Sequence, residues 1–482
     1  MPTLKLIYDR DKEIKNFKPE PYYQLEATFS APGGTYKGLL IEGNETKFKD
    51  FNKIEQIKKD IDMKNGIISS KRVEIKSQNA PRLFSMTDLM GYMSSKYNGW
   101  PSTKVKKVAQ SLYEGKGEGS LISYPRTKSR ALEETLVDKA KRVLDRLIGN
   151  LPYKDEIKFH TNKRVFNSEE VDGHSAIMPT LVEPKNLTTD EELLYNEIVK
   201  RFIAQFMPSA KYEHTEIIST VITDTGDRNF ITKGKRLVEE GWLKIYGKEV
   251  NEDTEEELLP YVEENSSIKA INSKIHKKYT KAPPHYTEKS LLEAMEFCGR
   301  NLDKKYKDLS PEELSKILNG YEIGTSATRD EVIDKLLNVK YIERKGKSLC
   351  ITDKGIRMVE IFPVKELLDV TYTGKLEKAL SEIQKGNFTK QALLEHTNKL
   401  IKKGVEQIKN SNAVIVDNTN INSSMSDIEA LGLCPNCQKP IIEGKKGYGC
   451  LGYKEGCKFV IWKENAFLKK FGINKIFFCL PL

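Results

Sequence analysis

The stretch Leu121-Ile122-Ser123-Tyr124-Pro125-Arg126-Thr127-Lys128-Ser129-Arg130 constrains the chain most. Pro125 bars a helix from running through it and biases Tyr124 towards extended backbone. The apolar lead-in therefore reads as the end of a strand entering a stiff turn. On extended backbone Tyr124 and Arg126 point the same way, because side chains repeat every second residue. A phenol beside a guanidinium suits attack on a phosphodiester. A phenol is a weak nucleophile at its free pKa of about 10, and a fixed arginine offers paired, charge-assisted hydrogen bonds to the developing phosphate charge. Taken alone, Tyr-Pro-Arg more often describes a packed tyrosine beside a surface arginine. Its neighbours decide between the two.

The chain has 482 residues, too many for one compact core, so several domains are expected. Lys and Arg number 79 against 69 Asp and Glu, a net charge of +10 that permits a polyanionic partner without requiring one. No apolar run approaches the roughly 20 residues that span a membrane, and the start Met1-Pro2-Thr3-Leu4-Lys5-Leu6 lacks the apolar centre of a signal peptide. Cys298, Cys350 and Cys479 are scattered and suggest no disulfide framework. The expectation is a soluble protein in a reducing, cytoplasmic setting.

Along the chain, residues 3–15 read as a helix. Tyr23, Leu25, Ala27 and Phe29 alternate with polar residues, a half-buried strand turned at Ala31-Pro32-Gly33-Gly34, with a return strand over 36–41. Phe51, Ile54, Ile57 and Ile61 mark one helix face, and residues 67–76 a further strand. Asp60-Ile61-Asp62 is the nearest approach to an acidic pair, and its setting beside Lys58-Lys59 favours a solvated face. Thr87 or Asp88 is placed to cap a helix. Gly115-Lys116-Gly117-Glu118-Gly119 is a flexible loop with no Gly-Lys-Ser/Thr after it, which excludes a P-loop. Residues 193–207 form an amphipathic helix stopped by Pro208, and 212–247 read as strands with a corner at Gly241-Trp242. The acidic run 251–257 would repel DNA. Pro283-Pro284 precedes a helix that Thr287 can cap. A helix from Glu331 and a basic hairpin turning at Lys345-Gly346 outline a winged helix. Residues 374–409 are helical, and 410–430 are a linker.

Val108-Ala109-Gln110-Ser111-Leu112-Tyr113-Glu114 followed by Ser120-Leu121-Ile122-Ser123-Tyr124-Pro125-Arg126-Thr127 resembles the active-site region of type IA DNA topoisomerases, closest to the topoisomerase III branch. The resemblance implies that Tyr124 attacks one DNA strand and keeps its 5′-phosphate, that Arg126 stabilises that phosphate, and that Thr127 lies against DNA. One departure is Lys128, where the family usually has Asp. His174-Ser175-Ala176-Ile177-Met178-Pro179-Thr180 resembles the family's His-x-Ala-Ile-x-Pro-Thr motif, which makes His174 a third catalytic candidate. Ile323-Gly324-Thr325-Ser326-Ala327-Thr328 resembles a segment that contacts the DNA backbone, so Thr328 joins Lys106 and Arg201 as DNA-binding candidates. For Thr328 a plain helix cap, and for the two cations a solvated surface, account for the residue types as well.

Cys434, Cys437, Cys450 and Cys457 form Cys-x2-Cys-x12-Cys-x6-Cys, a spacing that can wrap tetrahedral Zn²⁺. Tyr448, Tyr453, Phe459 and Trp462 among lysines suit stacking on single-stranded bases or the core of a small ribbon. The module resembles the family's C-terminal zinc ribbons.

The fold expected from the resemblance is multidomain, α/β and α: a toroidal type IA topoisomerase body with mostly helical catalytic domains, a β-rich arch and a C-terminal zinc-ribbon-like module. Its parts are the start of a winged-helix-like body domain (1–21), the arch (22–83 and 209–280), the catalytic tyrosine domain (84–208), a winged-helix-like DNA-binding domain (281–409), the linker (410–430) and the ribbon (431–482). The family's Toprim domain, with its magnesium site and general-acid glutamate, has no counterpart in these residues. The expectation is ATP-independent breakage, passage and rejoining of single-stranded or negatively supercoiled DNA, with Mg²⁺ and a Toprim polypeptide supplied in trans. A non-catalytic single-stranded-DNA-binding remnant and a winged-helix regulator are the alternatives.

Overall fold

The computed structural model describes residues 1–115, 119–149, 151–250, 259–296, 322–325, 328–411, 432–443 and 447–462. The acidic run 251–257, most of the linker, Cys298, Cys479 and the lysines at 445, 446 and 463 lie outside the described residues. The chain divides into two compact units, Met1–Ile408 and Lys409–Leu482.

In the first unit, alternation of apolar and polar residues produces six antiparallel strands: β1 (Pro21–Ala31), β2 (Gly34–Ile41), β3 (Asn65–Gln78), β4 (Ala210–Val221), β5 (Arg228–Glu239) and β6 (Ser267–Tyr279). They close into a barrel in the order β1-β2-β5-β4-β3-β6, which leaves no free edge. Leu25, Ala27, Phe29, Ile217 and Phe230 fill it. The helix between β2 and β3 (Phe51–Ile61) adds Ile54, Ile57 and Ile61 to that core. Phe51, expected on the same buried face, is instead largely exposed at the first turn, where it leans on Tyr23 at 5.1 Å. Asp60 accepts a hydrogen bond from Thr225 and Asp62 from Ser273, ordinary surface contacts rather than a metal seat.

The barrel halves are separated in sequence by a helical layer. With α1 as Pro2–Asn16 and α2 as Phe51–Ile61, this layer holds α3 (Met86–Lys96), α4 (Ser102–Glu114), α5 (Val137–Ile148) and α6 (Thr189–Ala204). The cap of α3 is Ser85, not Thr87 or Asp88: its hydroxyl accepts the Asp88 N–H while Asp88 reaches back to the Ser85 N–H. Thr188 and Glu191 repeat the arrangement at α6. The chain leaves β5 through Gly241, whose φ of +51° and tight approach to the Pro208 carbonyl demand glycine. Residues 241–247, expected as strand, lie in 3-10 turns that run from Gly241 to Val250, and the Trp242 indole donates to the Gln78 carbonyl at 2.9 Å.

Leu4 and Ile7 of α1 share one core with α3, α4 and residues far along the chain, among them Tyr286, Leu291, Leu349 and Val359. Thr287 caps α7 (Glu288–Glu296) by accepting the Ser290 N–H. Beyond it come α8 (Arg329–Asn338), the hairpin β8 (Ile342–Lys345) and β9 (Ser348–Ile351), and α9 (Asp353–Ile361). The short strand β7 (Tyr286–Thr287) pairs with β9, giving a three-stranded sheet in a helix-and-hairpin arrangement. The helical stretch expected over 374–409 is two helices, Val370–Gln384 and Lys390–Asn410, parted at Gly386 with φ +76°.

The second unit contains a four-stranded antiparallel sheet: β10 (Gly432–Leu433), β11 (Pro440–Glu443), β12 (Gly447–Cys450) and β13 (Val460–Trp462). Cys434, Ile441 and Cys450 are its buried centre.

Candidate active site

Two loops meet to build the site. Residues 121–130 are not a strand. They are an extended, irregular segment that a single bridge, Ile122 to Pro179, ties to residues 174–180. The Ser123 N–H donates to the Met178 carbonyl at 2.8 Å, and the Ser123 hydroxyl donates to the Ala176 carbonyl and accepts the Met178 N–H. Pro125 has no N–H to give a ladder, which accounts for the pairing stopping there. The sequence motifs at 120–127 and 174–180 are thus partners in space.

Tyr124 sits half-buried at this junction. Its ring lies 4.4 Å from the His174 imidazole, centroid to centroid, and 5.3 Å from Tyr113 at the end of α4 in an edge-on contact. His174 and Arg126 are exposed, so a phosphate can reach both. Thr127 is buried. Its hydroxyl donates to the His174 carbonyl at 2.7 Å and accepts the Ser129 N–H, and its carbonyl accepts the Met86 N–H. The Thr127 side chain, expected against DNA, here supports the histidine loop.

Lys128 pairs with Asp172 at 2.7 Å and with Glu322 at 3.6 Å. Those two carboxylates, with hydrogen bonding, hold its ammonium protonated beyond the usual lysine range against the opposing effect of burial. Arg130 makes a two-point contact with Asp88 at 2.6 and 3.0 Å and reaches Glu296 at 3.1 Å. Burial pushes the Glu296 carboxyl upward, whereas at Asp88 the adjacent Arg130 charge overcomes burial and holds the carboxyl below its usual value. Arg329 is fully buried and donates to the Ile323 and Gly324 carbonyls, to the Thr87 hydroxyl and to Glu322. Arg130, Arg329 and Tyr113 escaped the sequence reading. Both arginines have polar sequence neighbours, and Tyr113 ends an ordinary amphipathic helix, so nothing local set them apart before their partners were known.

The other two cation candidates are also committed to the protein. Lys106 bonds Asp330 at 3.2 Å and Glu331 at 2.7 Å, joining α4 to α8. Arg201 is buried, with its guanidinium on the Phe84 ring at 3.9 Å and bonds to the Tyr246 hydroxyl and the Arg82 carbonyl. In this structure both cations are held by protein partners, Lys106 by carboxylates and Arg201 by a ring, a hydroxyl and a carbonyl. Thr328 is exposed at the start of α8, and its hydroxyl accepts the Thr325 N–H at 3.0 Å in a turn rather than capping the helix.

In the second unit the four cysteine sulfurs converge: Cys434 and Cys457 are 3.6 Å apart and Cys437 and Cys450 are 3.3 Å apart. All four offer ligand atoms within 4.8 Å of one another, and the Gly452 N–H donates to Cys450 Sγ. Four thiols on two turns fit a closed tetrahedral zinc site. The thiols influence one another: despite burial, the backbone N–H groups of Asn436 and Cys437 lower the Cys434 thiol, while burial pushes the Cys450 thiol up and burial and neighbouring thiols raise Cys457.

Among the described residues no helix is long and apolar enough to cross a membrane. Residues 1–395 match the family model for DNA topoisomerase. The chain is 32% identical over 462 residues to DNA topoisomerase 3 of Bacillus cereus (strain ATCC 14579), covering 92% of this chain and 60% of that protein. It is 28% identical over 485 residues to DNA topoisomerase 3 of Bacillus subtilis (strain 168), covering 96% and 63%. The chain therefore spans less than two thirds of the length of these relatives. Its fold is similar to that of full-length topoisomerase I from Thermotoga maritima, with a TM-score of 0.61, 23% identity, and 95% of this chain and 69% of that one covered. The family model spans both the tyrosine and the histidine loop, and with the relatives it shows that the chain belongs to the DNA topoisomerases, type IA, on the topoisomerase III-like branch.

Proposed function

We propose that this chain carries the strand-cleaving portion of a type IA DNA topoisomerase. The Tyr124 oxygen attacks a backbone phosphorus. The new Tyr–O–P bond forms as the bond to the 3′-oxygen breaks, and that oxygen leaves with a proton. Arg126 and His174 offer donors to the phosphate oxygens as charge builds. The second strand passes, the 3′-hydroxyl attacks the phosphotyrosine, and the original bond is restored. One phosphodiester is exchanged for another, so ATP is not consumed. The observation that carries the reading is the Tyr124–His174 ring contact on two loops tied together by their own backbones.

Among the described residues, the groups of metal-ligand type are the four cysteines and an Asp-His-Cys cluster, neither of them the all-oxygen seat that Mg²⁺ prefers. We assign magnesium and the proton donor for the 3′-oxygen to a Toprim module outside the residues given, in the same polypeptide or in trans. The toroid, the arch formed by the barrel, and winged-helix-like DNA binding by residues 281–409 belong to the same proposal. So do a cytoplasmic site of action and single-stranded or negatively supercoiled DNA as substrate. Thr328 remains the candidate for a backbone phosphate contact, and the ribbon, with zinc, for single-stranded bases.

A denaturing-gel trap tests this. A 3′-labelled single-stranded oligonucleotide with Mg²⁺ is incubated with the chain alone, with an added family Toprim domain, and with Tyr124→Phe. A 5′-phosphotyrosine keeps the labelled piece on the protein. An adduct that needs the Toprim domain and vanishes in Tyr124→Phe is expected. DNA binding with no adduct in any lane overturns the catalytic reading in favour of a non-catalytic remnant. A preference for one duplex sequence over single strands would favour a winged-helix regulator.

A further inference from the structure

Asp11, His285 and Cys350 come from three distant parts of the chain and meet at one point. Asp11 lies in the last turns of α1, His285 follows Pro283-Pro284, and Cys350 lies on β9. Asp11 Oδ1 is 2.7 Å from His285 Nδ1, and Asp11 Oδ2 accepts the Ile351 N–H at 2.7 Å. One ligand atom from each of the three lies within 4.8 Å of the others.

We propose that these three side chains bind a divalent transition metal of the zinc type. A carboxylate oxygen, an imidazole nitrogen and a thiolate sulfur are the mixed donor set that zinc accepts. The carboxylate is already oriented by the Ile351 N–H, the outer contact that ligating carboxylates commonly have. The Cys350 residue is buried, while the His285 side chain is 38% exposed. An ion therefore has a dry sulfur side and an open side where water completes a fourth position. Binding forms a metal–sulfur bond and releases the Cys350 thiol proton to solvent. The Asp11–His285 hydrogen bond gives way to two bonds to the ion.

The consequence is a staple. The ion would reinforce the junction of α1 with the β8–β9 hairpin and with the segment leading into β7, which the shared core, the Asp11 bonds to Ile351 and His285, and Arg10 on the Pro284 carbonyl and the Tyr286 ring already hold. The site is separate from the four cysteines and independent of the cleavage chemistry.

Cobalt(II) is the probe, because thiolate ligation gives it a charge-transfer band. The full chain carrying Cys434→Ser and Cys457→Ser, reduced and stripped by chelator, removes the ribbon from the reading. That protein is expected to take up one equivalent of cobalt with the thiolate band, and to melt at higher temperature with Zn²⁺ added. Adding Cys350→Ser should abolish the band. His285→Gln, at the open side, should weaken uptake by at least about tenfold while leaving the far-ultraviolet circular dichroism unchanged, and it decides the matter if Cys350→Ser fails to fold. No thiolate band in the ribbon variant, or a band equally strong with His285→Gln and Cys350→Ser, overturns the proposal.

Discussion

The Tyr124 and His174 rings lie 4.4 Å apart, inclined at 51°, although 50 positions separate them in the chain. The contact follows from backbone pairing of their two loops, with Thr127 bonded to the His174 carbonyl beneath it. The Tyr124 phenol and the His174 imidazole are therefore positioned together, and a change in either loop moves both.

His174→Ala should slow adduct formation about 100-fold or more, the usual worth of a positioned acid–base group. Binding of single-stranded DNA should change little. The check is single-turnover cleavage, with the Toprim domain supplied, beside a binding titration on the same oligonucleotide.

Thr127→Val removes a donor to the His174 carbonyl and an acceptor for the Ser129 N–H, both in buried surroundings. The expected cost is about 1–3 kcal/mol in urea denaturation, with slower cleavage as the histidine loop loosens. Thr127→Ser keeps the hydroxyl and should recover most of both losses.

Arg201→Met tests the packing role directly. It strips donors from the Tyr246 hydroxyl and the Arg82 carbonyl and takes a cation from the Phe84 face. Stability should fall by about 2–4 kcal/mol, while the DNA affinity of the folded protein is unchanged and its salt dependence keeps the same slope.

Acid should unfold the first unit through Glu197 and Asp88. At Glu197 burial pushes the carboxyl up, but the Tyr92 and Tyr97 hydroxyls, then Lys200 and Lys96, outweigh it and hold it below its usual value. Asp88 is lowered as well. A carboxyl lowered by folding contributes stability that is present above its unfolded value of about 4 and is lost as pH falls through its folded value. Denaturant midpoints measured from pH 7 to pH 3 should fall steeply below about pH 4. The gap between wild type and Glu197→Gln should shrink over the same range.

The strands of the barrel were legible from local pattern. Alternation at Tyr23, Leu25, Ala27 and Phe29 reports a half-buried strand whatever its partner, and Ala31-Pro32-Gly33-Gly34 reports the turn. The reading failed where packing outvotes pattern. Phe51 has the right spacing but lies exposed against Tyr23, and residues 241–247 are apolar enough for a strand yet coil onto Gln78 and Pro208. Ser85 rather than Thr87 caps α3 because only Ser85 holds the extended backbone of a cap.

The sequence by itself singled out the candidates: Tyr124, Arg126 and His174 stand in short motifs that resemble a family's, since proline stiffness and residue order are local properties. It also determined the four-cysteine set, because ligand type and spacing are written in the chain. Tertiary structure alone decided which polar residues are spent on the protein. Lys106, Thr127 and Arg201 have the composition of DNA contacts, but their polar groups face Asp330, the His174 carbonyl and the Tyr246 hydroxyl. A cation or hydroxyl reads the same in sequence whether it faces water or a buried partner. Only folding brings the partner, and an unsatisfied buried group costs too much to be left without one. The Asp11–His285–Cys350 cluster has the same origin: three residues with no common motif, joined because α1 and β9 share a core.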